Sequence, residues 1–396
     1  MRSFRKMNWF FAGIAAASLA LSGQYALAQE TIKIGVTLPL SGGQAVLGKQ
    51  QLMGAEVAVE NINKEGGING KMLELVVRDD AANPTRGVTN IREMAGNGVH
   101  LFLGGIQSSV TLAIKPLLDE LNAVFLSTAA IADSLTDGNT TKGYFRLTES
   151  GTMRYRAEAK LFAAKFPDAK KWTGLVPDAE YGYSSWKAFA AGLKEYAPTV
   201  DIMEPILYKF GATDFKLQIS KMTQSAADGY YILVNGDDAV TFYQQATALG
   251  FFKRAKVVTD AGEAITYANM LGEKMASLWS ATVWNPWRHQ PGSLSDKLYQ
   301  GIQAKGAPKF PTGFYAAPFD AVNIYATLIK KVGSINVPVI ISELEKGNFE
   351  TTHGGKFYFN KDHQAQFQMD FYHIENTPGV APGWKIDRIE IVQPLE

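Results

Sequence analysis

Two short loops carry the residues best suited to chemistry, and that chemistry is binding. Gly104-Gly105-Ile106-Gln107-Ser108-Ser109 sets two hydroxyls at the start of a helix expected over Val110–Leu121. Hydroxyls and free N–H groups at a helix start hold a carboxylate without a full positive charge. Ser127-Thr128-Ala129-Ala130 follows the next expected strand, and its small side chains let a ligand approach the backbone. Ser109 alone is equally well explained as a helix N-cap, and Ala129 and Ala130 as close packing. Together, in adjacent strand-end loops, the two segments favour one shared anion site.

Catalytic signatures do not accompany them. The chain has no G-x-S-x-G elbow, no Walker phosphate loop and no H-E-x-x-H helix. The histidines (His100, His289, His353, His363 and His373) lie far apart, without metal-ligand spacing. No cysteine is present, which excludes disulfides, thiolate metal sites and a cysteine nucleophile. Asp79-Asp80 follows a strand, where carboxylates commonly accept backbone N–H groups, and Asp237-Asp238 starts a helix, where negative charge suits the dipole. The sequence calls for no cofactor and no metal.

The elements that must position these loops alternate. Thr31–Leu38 reads as a buried strand, and Leu52, Ala55, Val59 and Ile62 recur at helical spacing before Gly66-Gly67. Strand Leu73–Val77 precedes a helix opened by Asn83-Pro84, and strands Leu101–Leu103 and Val124–Ser127 flank the third helix. A second series starts after Arg146. Its helices are Tyr155–Phe166, Ser184–Tyr196, Asp214–Met222 and Ala239–Leu249. Its strands are Trp172–Val176, Ile202–Tyr208, Gly229–Val234 and Lys256–Thr259. Long helices return at Leu294–Ala304 and Ala317–Val332, and the tail alternates like antiparallel strands. Repeated β-α units mean parallel sheets covered by helices, so the expected fold is α/β with two doubly wound lobes.

Composition bounds the partners. The 396 residues are 46% hydrophobic and 19% charged, a globular balance with room for two or three domains. A net charge of +1 gives no basic surplus for nucleic acid. Arg2, Arg5 and Lys6, the apolar run Trp9–Leu21 and the small-x-small site Ala26-Leu27-Ala28 form the three-part secretory pattern. Cleavage is expected after Ala28, with export to a periplasm.

The opening IKIGVTLPLSG, then GAEVAVENINKEGGINGKMLELVVRDDAANP, GGIQSS, FLSTAA, Glu180-Tyr181-Gly182, Gly211-Ala212-Thr213-Asp214-Phe215 and Phe319-Asp320-Ala321 run in one order from residue 31. This ordered set resembles the periplasmic solute-binding proteins of ABC importers, in particular the leucine/isoleucine/valine-binding group. The resemblance implies the type I periplasmic-binding fold, two lobes joined by three crossings that close on a ligand. Carried onto this chain, the crossings fall near Leu147–Gly151, Thr282–Asn285 and Thr351–Gly355. Lobe one would be 31–148 plus 285–352, and lobe two 149–283 plus 355–396. The implied partners are a small carboxylate-bearing ligand, in the first place a hydrophobic amino acid, and inner-membrane permease subunits.

The resemblance also assigns residues. Ser108, with Ser109, would hold the ligand carboxylate, assisted by backbone at Ala129 and Ile131 beside Ala130. Tyr181 would pack on the ligand, and either Asp260 or Glu263 would receive its ammonium. Departures bear on the substrate. Ile131 replaces a threonine hydroxyl, Leu47 and Asn235 replace tyrosines, and Gly151 stands where an acid is expected, with Arg154 close by. Burying an ammonium without partners is costly, so these losses weigh against an α-amino acid and toward an amine-free aromatic or other organic acid. Trp284, Trp287, Tyr155 and Phe210 could widen an aromatic pocket. A ligand sensor on the same fold is the reading from another class, and an exported enzyme a third.

Overall fold

The computed structural model describes residues 31–393 apart from 139, 289 and 356, so the expected leader and the expected cleavage after Ala28 lie outside the described residues. In chain order the first series is β1 (Ile32–Leu38), α1 (Ala45–Lys64), β2 (Leu73–Asp79), α2 (Pro84–Gly96), β3 (Leu101–Gly104), α3 (Ser108–Ile114), β4 (Val124–Ser127) and β5 (Tyr144–Arg146). Its strands pair in parallel in the order β2-β1-β3-β4-β5. Val36, Leu38, Leu103 and Leu126 are fully buried there, the near-continuous apolar pattern of a sheet covered on both faces.

The second series is α4 (Gly151–Lys165), β6 (Lys171–Pro177), α5 (Glu180–Tyr196), β7 (Asp201–Ile202), β8 (Ile206–Tyr208), α6 (Lys216–Ser225), β9 (Gly229–Ile232), α7 (Gly236–Ala248), β10 (Val257–Asp260), α8 (Ala264–Leu271) and β11 (Leu278–Thr282). The chain then returns to cover the first sheet with α9 (Leu294–Ala304), α10 (Ala316–Val332) and α11 (Val337–Lys346). A short pair, β12 (Tyr358–Phe359) and β13 (Ala365–Gln366), precedes β14 (Met369–Asn376) and β15 (Trp384–Val392). The second sheet runs β15-β14-β11-β10-β9-β6-β7, with β8 also on β6 and the last two strands antiparallel. Two α/β lobes result.

Local chemistry explains most boundaries. Asn83 caps α2 through its side chain on the N–H of Arg86, with Pro84 in the first turn. Ser150 caps α4 on the N–H of Met153. The expected strand over Ile202–Tyr208 is interrupted into β7 and β8, where Pro205 cannot donate to the ladder. The helix expected to Leu121 ends as an α-helix at Ile114 and tightens through Lys115–Leu117, because Pro116 has no N–H to continue it.

The last passage between lobes departs from expectation. Residues 358–366 stay with the first lobe, whereas the resemblance placed a crossing at Thr351–Gly355. Phe357, Phe359 and Ala365 are buried in that lobe's core, and Phe359 meets Phe145 edge-on at 5.1 Å. The fully buried guanidinium of Arg146 bonds Gln364, Thr136 and the carbonyl of Ala132. Leaving such a cation unpaired in a core is expensive, which pins Gln364 to β5. The chain joins the second sheet only at Met369.

Candidate functional site

The site residues sit just beyond strand ends. In the first sheet β1 lies between β2 and β3, so connections leave β1 and β3 to opposite sides; β6 and β9 repeat this in the second sheet. Ligands bind at such reversal points in open α/β sheets. Between the lobes lies a cleft of about 690 Å³, counting the part open to solvent. Leu47, Gln107, Ser108, Thr128, Ala129 and Ile131 line it from the first lobe, and Tyr155, Tyr181, Leu233, Asn235 and Glu263 from the second.

The serine loop depends on its glycine. Gly104 has φ +133°, and a Cβ there would stand 2.1 Å from the carbonyl oxygen of Thr37. No other residue fits, and the chain therefore turns sharply into α3. Ser108 is buried on the cleft wall, where its hydroxyl accepts the N–H of Ala132 at 3.3 Å. That leaves the hydroxyl proton for a ligand. The hydroxyl of Thr128 is taken up by Gln51 Oε1 at 2.6 Å and the carbonyl of Gly104.

On the opposite wall the polar groups hold one another. Asn235 Nδ2 donates to the Tyr181 hydroxyl at 2.8 Å, and Asn235 Oδ1 accepts from Tyr267 at 3.2 Å. Burial raises the Tyr181 phenol well above its ordinary range, so it remains a neutral donor. Arg154 Nη1 lies 2.7 Å from Glu149 Oε1, and its Nη2 bonds the carbonyl of Gly262. Burial alone would lower Arg154, but Glu149 and Tyr155 raise it, so the guanidinium keeps its charge. Glu263 Oε1 accepts the N–H of Gly313 at 3.0 Å. Burial pushes the Glu263 carboxyl up to about 7, against the pull of Arg154.

Of the sequence-selected residues, Ser108, Ala129, Ile131, Tyr181, Asn235 and Glu263 share this cleft. Ser109 is exposed on the first turn of α3. Ala130 is buried behind the wall, with its carbonyl on Arg146 at 3.4 Å. Asp260 lies beneath the lining, bonded to the Tyr243 hydroxyl, and burial raises it to about 7. Tyr155 lines the cleft, whereas Trp284 is buried in the first-lobe core with its indole N–H on Ser295 at 2.7 Å. Trp287 is partly exposed against Phe310. Asp79 and Asp80 cap their loop, accepting the N–H groups of Ala81 and Ala82 at 2.8 Å each.

Sequence reasoning overlooked Glu149. An acid was sought at Gly151, whose N–H instead bonds the carbonyl of Ile131 at 2.8 Å. Glu149, two residues earlier, supplies a carboxylate to the wall. It sits in a crossing segment with neither helical nor strand period, so no pattern marks it. Gln44 and Gln107 also line the cleft, though no sequence signal singled them out.

A cleft between two doubly wound lobes, lined by residues from the strand ends of both, defines a two-lobed ligand-binding protein. The family model described as periplasmic binding protein matches residues 31–378, and the chain belongs to that family. Among curated proteins it is 26% identical to the leucine-, isoleucine-, valine-, threonine- and alanine-binding protein of Pseudomonas aeruginosa, over 93% of this chain and 95% of that one. Among solved structures it superimposes on the branched-chain amino acid transporter substrate-binding protein of Streptococcus pneumoniae in complex with isoleucine. The TM-score is 0.77 and the identity 22%, covering 92% of this chain and 100% of that one. It also superimposes on a solute-binding protein from R. palustris in complex with 4-hydroxybenzoate, with TM-score 0.81, identity 18%, and coverage of 92% and 98%.

Proposed function

We propose that this chain is the substrate-binding component of an ABC importer and captures an α-amino acid with an apolar body, delivering it to an inner-membrane permease. The observation that carries the reading is the charge arrangement in the cleft. Arg154 is committed to Glu149, and Glu263 faces the same space with a backbone N–H as its close donor. With these three groups ionised the lining carries one net negative charge, which suits an ammonium. The ligand carboxylate would go to Ser108 and the small loop at Ala129 and Ile131, where dipoles hold it. Leu47, Ile106, Leu233, Val283 and Phe314 would cover the apolar body. The 4-hydroxybenzoate bound by the R. palustris protein favours the second reading, an amine-free acid, in which Arg154 would leave Glu149 to take the carboxylate.

A thermal-shift panel on ligand-stripped protein separates the two. Leucine, isoleucine, valine and phenylalanine are set beside 4-hydroxybenzoate and 4-methylpentanoate. A ligand at a hundred times its dissociation constant adds about 2.7 kcal/mol. Shifts confined to amino acids support the first reading, and shifts confined to amine-free acids replace it with the second. No shift with either removes the site.

A further inference from the structure

The two loops offered to a carboxylate share one buried support. Thr128 donates its backbone N–H to the carbonyl of Gly104 at 2.8 Å, so the loop after β4 is bonded to the turn that leads into α3. The Thr128 hydroxyl donates to Gln51 Oε1 at 2.6 Å, with the same Gly104 carbonyl a second acceptor at 2.9 Å. Gln51 Nε2 returns to the carbonyl of Thr128 in a longer bond of 3.5 Å. One carboxamide on α1 thus grips residue 128 by its hydroxyl and its carbonyl together. Gln51 is fully buried and stands behind the wall, not among the residues that line the cleft.

That grip sets the direction of the next N–H. The peptide between Thr128 and Ala129 is trans, so the carbonyl of one and the N–H of the other point opposite ways. With the Thr128 carbonyl turned to Gln51, the Ala129 N–H points away from α1, on a residue of the cleft wall. Among the described residues nothing accepts that N–H. Beside it the Ser108 hydroxyl keeps its own proton free, so one wall carries two donors that await an acceptor. The support itself is stiff. Gly48 and Gly54 flank Gln51 on α1, where a Cβ would stand 1.9 Å from the carbonyl oxygen of Pro39 and 2.0 Å from that of Tyr315. Backbone packs on backbone at both points, which leaves the helix no room to shift.

We infer that Gln51 is a positioning residue for the carboxylate end of the site, aiming the Ala129 N–H at the ligand through Thr128 without touching the ligand itself. The inference rests on the carboxylate half of the reading above, which the amine-free alternative shares. Calorimetric titration with leucine, and displacement of leucine by leucinamide, tests it on the wild type and on Gln51→Met. Methionine keeps the length of the side chain and drops both bonds, while Thr128 retains the Gly104 carbonyl. Leucine should bind about tenfold more weakly to the variant, the scale of one hydrogen bond to a charged group. Leucinamide lacks that charge and should change by less than about twofold, whereas a general loss of structure would weaken both ligands alike. Thr128→Val should show the same selective loss, so the test stands even where Gln51→Met does not fold. Unchanged leucine binding in both variants, or equal losses for leucine and leucinamide, overturns the positioning role. Leucinamide binding to the wild type as tightly as leucine overturns the carboxylate reading instead, and the role of Gln51 falls with it. If the wild type takes only amine-free acids, 4-hydroxybenzoate and 4-hydroxybenzamide replace the leucine pair with the same expected losses.

Discussion

Arg154 and Glu149 meet at 2.7 Å in the cleft wall with their side chains 8% and 1% exposed, and the same guanidinium holds the carbonyl of Gly262 beside Glu263. One side chain thus ties the first crossing segment to the loop that carries the second-lobe acid. Breaking such a pair leaves an uncompensated buried charge. Arg154→Met should destabilise the protein by about 3–5 kcal/mol, and Arg154→Met/Glu149→Gln should recover most of the loss. Urea unfolding of both variants checks this; a single variant as stable as wild type contradicts it.

The cleft mouth is set by backbone contact between the lobes. Gly236 has φ +61°, and a Cβ there would stand 2.5 Å from the carbonyl oxygen of Gly43 across the mouth. Gly236→Ala should hold the lobes apart and weaken ligand binding about tenfold or more, an opening cost of ~1.4 kcal/mol. Gly211→Ala is the control: it has φ +78° but open space around its Cβ, so it carries the backbone strain alone. Equal losses in the two variants would show that strain, not closure, is responsible.

Several buried acids make free-protein stability depend on pH. Burial raises Asp260 and Asp320 to about 7 and Glu158 to about 8. Each folded value lies above its unfolded one, so the folded chain holds protons that the unfolded chain has released. That stability is complete below the unfolded values and is lost as pH rises through 7 and 8. His353, pushed down to about 4 by burial, acts at lower pH and does not offset it. The melting temperature should therefore fall between pH 6.5 and 8.5, and Asp320→Asn should flatten the decline. A melting temperature that rises across this window would contradict the assignment.

Ser108 and Tyr181 stand on opposite walls of the cleft. Ser108→Ala removes a hydroxyl donor and should weaken amino-acid binding by roughly 0.5–1.5 kcal/mol or more, up to ~3 kcal/mol if the donor bonds a carboxylate. Tyr181→Phe leaves the ring but unties Asn235 Nδ2, with a smaller loss. Titration calorimetry reads both. Wild-type affinity in both variants would remove these residues from the site.

Much of the fold was legible because it is written in period. The strands and helices of the first lobe follow from alternating apolar runs closed by Gly66-Gly67 and opened by Asn83-Pro84. Helix α8 and strand β11 escaped notice, since each is short and α8 is buried on most sides, which leaves little polar face to mark a period. Within the site, Ser108 was reachable from its strand-end loop, whereas Tyr181, Asn235 and Glu263 came only with the family resemblance. Asp260 and Glu263 could not be separated in sequence: they lie three residues apart, and only the course of the loop turns Asp260 inward to Tyr243. Glu149 owes its place to the crossing and to Arg154, a pairing that no spacing rule announces.

Under the proposed function, Glu263 receives the ligand's ammonium. Burial outweighs the pull of Arg154 and pushes its carboxyl up to about 7. An incoming ammonium would lower that value, so binding at pH 7 should release part of a proton and weaken as pH falls below 7. Calorimetry with leucine in buffers of differing ionisation enthalpy measures this release directly, beside Glu263→Gln and the amine-free isostere 4-methylpentanoate. The account predicts proton release with leucine in the wild type, its loss in Glu263→Gln together with much of the affinity, and little binding of 4-methylpentanoate. The same proton release in Glu263→Gln, or 4-methylpentanoate binding as tightly as leucine, would contradict it.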